Sequence, residues 1–339
     1  MGRIVGKAFV IMTSLWSGEH HGVLSALIVL ATALGFSAYA AADDGFPTRP
    51  VTLVIPFSAG GSHDLNARVV TRVIPRYLGQ PMVVRLVPGA GGQKGALAVA
   101  ESEPDGYTLL FGHNLIDQLQ PHVSDLPYDP MTAFRTVWKL NQATAVIYVS
   151  AEKGYTTLEG LLSFGLERPG ELVFPNSGKW GFSFTVGAML MAHTGLRVNM
   201  VPYKGGAPVR AAMLAGDGDF ASAPYLNVRS IHQAGKVRIL ASVTADRLKI
   251  LPEVPSFGEL GLPHEGAIME RIVMAPAGTP DDRVRVLEDA FRKLYRDPSF
   301  NDLMDKMGES LDYMAAAEYD AIRPGRSQAY KALVAALLR

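Results

Sequence analysis

The chain contains no cysteine in its 339 residues. That absence excludes disulfides, thiol catalysis, cysteine-ligated zinc and a lipid-bearing cysteine. Excess charge is missing too, because 32 basic and 32 acidic side chains cancel. A broad nucleic-acid binder needs a basic face to displace phosphate counterions, so this balance argues against that role. After residue 42 no stretch is apolar enough to cross a bilayer as a helix.

Metal and nucleophile signatures are also wanting. Beyond the N-terminal segment the histidines are His63, His113, His122, His193, His232 and His264. None is paired three or four residues apart and no His-Glu-x-x-His occurs, so neither a metal nor another cofactor is expected. There is no Gly-x-Ser-x-Gly elbow. Ser62-His63-Asp64 are consecutive residues entering a helix; they point in different directions and cannot relay a proton in line. The sequence does not read as an enzyme.

What is present begins with an apolar run, Val23 to Phe36, preceded by Arg3 and Lys7 and followed by Ala38-Tyr39-Ala40 and Ala40-Ala41-Ala42. A basic start, greasy middle and small-residue end read as a secretory signal over residues 1–42, cleaved near 40–42. An uncleaved anchor is the alternative, and translation could start at Met1 or Met12. The expectation is an exported, periplasmic, soluble protein.

The remaining chain alternates short apolar strands with helices. Val51–Pro56, Met82–Val87 and Tyr107–Phe111 read as strands, with helices over His63–Tyr77 and Gln93–Ala100 between them. Strands follow at Ala145–Val149, Leu172–Phe174, Val198–Val201 and Val237–Val243. Thr156-x-x-Glu159 reads as a capping box. Thr279-Pro280-Asp281-Asp282 reads as a hydroxyl cap, a first-turn proline and carboxylates at the positive dipole end. This rhythm is that of parallel βαβ units, an α/β fold.

Two glycine turns carry the chemistry. Ser58-Ala59-Gly60-Gly61-Ser62 follows the first strand and Pro88-Gly89-Ala90-Gly91-Gly92 the second. Glycine admits a ligand close to the backbone, and unpaired helix-start amides with the helix dipole form an anion site. Either turn alone could be a plain connection. Together they sit at the carboxyl ends of neighbouring parallel strands, where open α/β sheets bind ligands. Gly89 to Gly95 matches neither a Rossmann fingerprint, with Lys94 at its sixth position, nor a P-loop. Asp64 reads as a cap or first-turn carboxylate. Asp219 reads as an acid available to a ligand or to a neighbouring helix.

These residues resemble the Bug receptors, the substrate-binding proteins of tripartite tricarboxylate transport. The resemblance runs through Phe46–Val51, Pro56–Asp64, Pro88–Gly92, Pro104–Leu110, Leu126–Pro130, Val201–Pro208, Leu251–Pro255 and Ala275–Pro280. It implies a type II periplasmic-binding-protein fold, with two α/β lobes joined by crossing strands near Ala145–Val149 and Ile272–Ala275, and a cleft between. The lobes would be residues 43–144 plus 275–339, and 145–274. It implies a monomeric receptor that closes on a small carboxylate and hands it to the membrane components of a tripartite tricarboxylate transporter.

Carried over by position, the first-lobe contacts would be Ala59, Gly60, Ser62, His63, Asp64, Gly91 and Gly92. The second lobe would contribute Ser177, Gly205, Ala207 and Asp219. Gly178-Lys179-Trp180-Gly181-Phe182-Ser183-Phe184 departs from the family pattern. Lys179, Trp180 and Phe184 thus join the expected site, and Lys179 or Arg271 could meet a second anionic group. The aromatics motivate an alternative ligand, a terephthalate-like aromatic acid; a ligand sensor on the same fold is the other alternative.

Overall fold

The computed structural model describes residues 45–309 and 311–338, so the expected leader lies outside the described residues. Pro47–Arg339 form one unit. Strand β1 (Val51–Ile55) is buried along nearly its whole length, because it pairs in parallel on both sides, with β2 (Met82–Leu86) and β3 (Thr108–His113). Helix α1 (Ser62–Val73) crosses from β1 to β2, and α2 (Gln93–Ala100) from β2 to β3. The single helix expected to Tyr77 is two pieces: α1 stops at Val73 and a short turn covers Pro75–Leu78. Proline has no amide proton for the i→i−4 ladder.

Strand β4 is the largest departure from expectation. It runs over Phe134–Ser150, 17 residues, which at ~3.3 Å each is on the order of 55 Å. Its first half carries Lys139 and Asn141, both buried, which conceal the strand pattern. They are tolerated because each is matched: Lys139 Nζ lies 2.5 Å from Asp312 and 3.3 Å from Glu270, and Asn141 Nδ2 donates to Glu309 at 2.9 Å.

Beyond β4 the chain builds a second α/β layer from α3 (Leu158–Glu167), β5 (Val173–Asn176), α4 (Phe182–Thr194) and β6 (Asn199–Pro202). It continues with α5 (Gly206–Ala215), β7 (Phe220–Pro224), α6 (Tyr225–Gln233) and β8 (Val237–Ser242). Thr157, not Thr156, caps α3, its hydroxyl accepting from Gly160 N at 3.1 Å. The chain returns through β9 (Ile268–Pro276), then α7 (Asp281–Tyr295), α8 (Pro298–Met307), β10 (Leu311–Met314) and α9 (Ala316–Leu337). Thr279 does not cap α7; its hydroxyl donates to Pro276 O at 2.7 Å.

The first sheet has the order β10-β4-β9-β3-β1-β2. From Phe134 to Thr144, β4 pairs antiparallel with β9; from Ala145 to Ser150 it pairs with β7 and β8. Strands β5 and β6 form a small parallel sheet of their own. Two α/β lobes are thus tied by β4 and β9, the type II arrangement that the resemblance implies. The return strand begins earlier than expected, at Ile268 rather than Ile272.

Candidate ligand-binding cleft

The cleft is built by helix starts. Strand β1 runs into Pro56-Phe57, the chain bends through Ser58 to Gly61, and α1 begins at Ser62 with Gly61 as N-cap. Three more helices begin against the same cavity: α4 after Gly181, α5 after Gly205 and α6 after Pro224. None of these four N-caps has a side chain that accepts from the helix. Helices α4, α5 and α6 also lack an acidic residue in the first turn. First-turn amides have no partner inside their own helix, and each dipole end acts as about +0.5 of a charge. Four such ends converging on one cavity make a binding site for negative charge without a cationic side chain.

The cavity encloses about 40 Å³. Ser62 and His63 of α1, Ser177, and Phe182 and Ser183 of α4 line it. Gly206 and Val209 of α5, Asn227 of α6, and Phe57, His113 and Met269 complete most of the wall. No lining side chain bears a fixed charge. The two histidines stay neutral: burial first, then the nearby Arg271 guanidinium, holds His63 well below its ordinary value and pushes His113 down to about 3. Arg271 is wholly buried and is neutralised by Glu309, to which Nη1 donates at 2.9 Å.

The lobes come close at the glycine turns. A Cβ added to Gly205 would lie 2.8 Å from Ser58 Oγ, and one on Gly91 would lie 2.7 Å from Lys179 O. Gly89, Ala90, Gly91 and Gly92 all have positive φ, a run that suits glycine and curls this turn toward the opposite lobe. Gln120 Nε2 bonds Gly91 O at 2.9 Å and Trp180 O at 3.4 Å, linking the two sides. The structure is therefore that of a closed cleft.

Comparison with known proteins fixes the family. The sequence model described as "Tripartite tricarboxylate transporter family receptor" matches residues 66–337. The chain belongs to the tripartite tricarboxylate transporter receptor family. Among relatives, Protein BugT of Bordetella pertussis is 34% identical over 269 residues, covering 77% of this chain and 79% of BugT. The structure of the periplasmic binding protein BugD superposes with a TM-score of 0.80 at 27% identity, covering 86% of this chain and 98% of BugD. MatC from Rhodopseudomonas palustris, with bound malate, gives a TM-score of 0.80 at 26% identity, covering 85% and 100%. An R. palustris protein with adipate gives 0.81 at 26% identity, covering 86% and 98%. The family is one of solute-binding receptors, not of enzymes, and BugD is a periplasmic binding protein.

Within this receptor the residues expected at the site fall into separate groups. Ser62, His63 and Ser177 line the cavity. Gly60, Gly91, Gly205 and Ala207 lie where the lobes meet; a Cβ on Gly60 would be 3.8 Å from Ala207 Cβ. Gly92 packs toward Phe57 and Ile116.

The others stand apart from the cavity. Ala59 and Lys179 are exposed. Asp64 accepts from Gly60 N at 2.8 Å and from Arg68 Nε at 3.1 Å, so it occupies one of the amides expected to face a ligand. Trp180 and Phe184 pack together, ring centroids 5.0 Å apart, against the second lobe's core. Asp219 pairs with Lys153 Nζ at 2.8 Å and accepts from Val173 N at 2.8 Å, at the opposite end of β7 from Pro224.

Sequence reasoning passed over His113, Gln120, Phe182, Asn227 and Met269. Pro224-Tyr225, where an apolar strand feeds a helix with no acidic first turn, was the one local signal for Asn227. The rest join through folding alone.

Proposed function

We propose that this receptor captures a small carboxylate by closing its two lobes and delivers it to the membrane components of a tripartite tricarboxylate transporter. The observation that carries the reading is the convergence of four helix starts without side-chain caps, at Gly61, Gly181, Gly205 and Pro224, on one cavity. Lobe boundaries near residues 144 and 275, cleavage of a signal near residues 40–42, a periplasmic location and a monomeric state belong to the same proposal. Charge-assisted hydrogen bonds of roughly 1.5–3 kcal/mol each mean that three or four amides suffice for micromolar binding after ordering costs. Closure is a population shift, driven by contacts the ligand makes with both lobes at once.

Neutral side chains and positive helix ends favour an anion over a cation or a neutral sugar. The aromatic-acid alternative rested on Trp180 and Phe184, and the packing of those rings into the core removes its support. Isothermal titration with a panel of aliphatic and aromatic carboxylic acids tests the reading. Saturable binding of an aliphatic acid, with a smaller radius of gyration by X-ray scattering on saturation, is expected. Binding of none of them, or binding without compaction, would remove it. Co-reconstitution with the transporter's membrane proteins then separates delivery from sensing.

A further inference from the structure

Resting on the lobe-closure reading above, we propose that Arg229 is an interlobe clasp, whose guanidinium grips the carboxyl end of α8 and keeps part of the protein closed before any ligand arrives. Arg229 stands on α6, which packs against β7 and β8 of the second lobe. Its Nη1 crosses to the first lobe and donates to Lys306 O, in the last turn of α8, at 3.2 Å. Among the described residues it makes no ion pair within its own lobe.

The end of α8 suits a cation. The last carbonyls of a helix lack partners within it and together carry about half a negative charge. Here Gly308 N and Glu309 N reach back to Asp305 O and Met304 O at 2.8 and 3.1 Å, and neither takes Lys306 O. The Lys306 ammonium is drawn back along the helix onto Asp302 at 2.7 Å. Gly308 lets the guanidinium in: its φ of +78° suits glycine, and a Cβ there would lie 2.7 Å from Arg229 Nη1.

That end is also held still. Glu309 is 5% exposed and accepts from Asn66 of α1 at 3.2 Å, from Asn141 of β4 at 2.9 Å and from Arg271 of β9 at 2.9 Å. Arg229 therefore grips a turn locked to both crossing strands. Around the contact the lobes are loosely fitted. A cavity of about 110 Å³ is lined by Gly308 and Glu309 from one lobe and by Tyr225 and Leu226 from the other. A single charged hydrogen bond beside such a gap forms and breaks without unmaking an apolar interface, so it biases closure rather than fixing it.

The chain lacks cysteine, so spin labels attach only where one is placed. Val83→Cys in β2 and Leu214→Cys in α5, 46% and 44% exposed, put one label on each lobe. Pulsed dipolar spectroscopy on protein refolded from denaturant, and so stripped of any bound acid, reads the populations. A closed distance, that of this structure, is expected beside an open one. In Arg229→Ala the closed-to-open ratio should fall about fivefold. Arg229→Lys, which keeps a cation at the helix end without the planar fork, should recover part of that loss. Salt at about 0.5 M should lower the ratio in the unaltered protein and leave Arg229→Ala where it is, because exposed charges are screened. An unaltered protein found wholly open, or a ratio that survives Arg229→Ala, would overturn the clasp and leave the receptor reading standing. If no substitution and neither malate nor adipate moves the distance at all, lobe closure itself falls, and the clasp with it.

Discussion

Helices that open onto the cleft and two helices that open elsewhere, α3 and α8, solve the same problem in opposite ways. Every α-helix leaves its first amides without internal partners. At α3 and α8 side chains fill the need: Thr157 Oγ1 caps α3, and Asp297 accepts from Ser299 N at 2.7 Å and Phe300 N at 3.2 Å to cap α8. Helix α9 has Glu318, which accepts from Ala315 N, and α7 carries Asp281 and Asp282 in its first turn. At the cleft the caps are Gly61, Gly181, Gly205 and Pro224, which bring no acceptor of their own. On the proposed function, the stability forgone at these four starts is binding capacity held for an anion from outside.

The sharpest way to break this contrast is to give a cleft helix the cap it lacks. Gly61 has φ −80° and ψ 167°, the extended conformation of an ordinary N-cap, and a Cβ there would meet nothing nearer than Ser58 O at 3.4 Å. Gly61→Asp should therefore fold with α1 stabilised by roughly a few tenths of a kcal/mol. Its carboxylate would take the amides meant for the ligand and repel an incoming anion, so affinity for any bound acid should drop at least about a hundredfold, roughly 2.7 kcal/mol. Calorimetry and a thermal melt on the same variant read both quantities. A variant that binds undiminished would show that α1 is not an anion site.

Acid provides the next largest effect, through a histidine of the cleft. Burial and Arg271 push His113 down to about 3 in the folded protein, against about 6.5 in an unfolded chain. A depressed histidine contributes stability that is complete above the unfolded value and is lost as pH falls toward the folded one, since the unfolded chain then binds the extra proton. Unfolding free energy should thus fall by up to about 1.4 kcal/mol per pH unit between roughly pH 6 and 4 on account of His113. His113→Gln removes the titration and keeps an acceptor for Leu115 N, which bonds His113 Nδ1 at 3.2 Å. Denaturant melts across this range should show a slope shallower by that amount, and an unchanged slope would mean that His113 is not held neutral.

This division between cleft and periphery was half legible in the sequence. Gly60-Gly61 and Gly91-Gly92 announce close backbone approach through composition alone, and the strand–turn–helix rhythm gave the α/β fold. Illegible were the features that need a partner from far along the chain. Lys139 and Asn141 look like loop residues until Asp312 and Glu309, more than 160 residues on, neutralise them inside a sheet. Lys179, Trp180 and Phe184 looked like ligand contacts because of their chemistry, yet the turn at Gly178 to Gly181 presents its backbone to Gly91 and leaves those side chains in solvent or core. Direction within a turn, rather than residue type, decides what a ligand meets.

The capped helices supply the converse tests, in which stability should move and binding should not. Asp297 is 5% exposed and, besides its two amides, accepts from Tyr77 OH at 2.7 Å and pairs with Arg76 at 3.2 Å; the Ser299 hydroxyl and these partners hold its carboxyl well below the usual range. Asp297→Ala strips the cap and leaves a tyrosine hydroxyl without its acceptor, which should lower stability by about 2 kcal/mol. Ligand affinity at a temperature where the variant is folded should stay within about twofold of the original, because α8 does not reach the cavity. A larger affinity change would mean that the two regions are coupled and the contrast between them is not clean.

Thr157→Ala is the smallest step of the same kind. Thr157 is exposed and makes one capping bond, to Gly160 N. Losing it should cost about 1 kcal/mol, near the middle of the range for a threonine cap, with no change in affinity. Thr157→Asp should restore most of that loss, since a carboxylate accepts the same amide and complements the dipole. The identical chemical step, an aspartate placed at a helix start, is thus expected to rescue α3 and to disable α1. If both substitutions proved merely stabilising, the cleft helices would be ordinary helices that happen to lack caps.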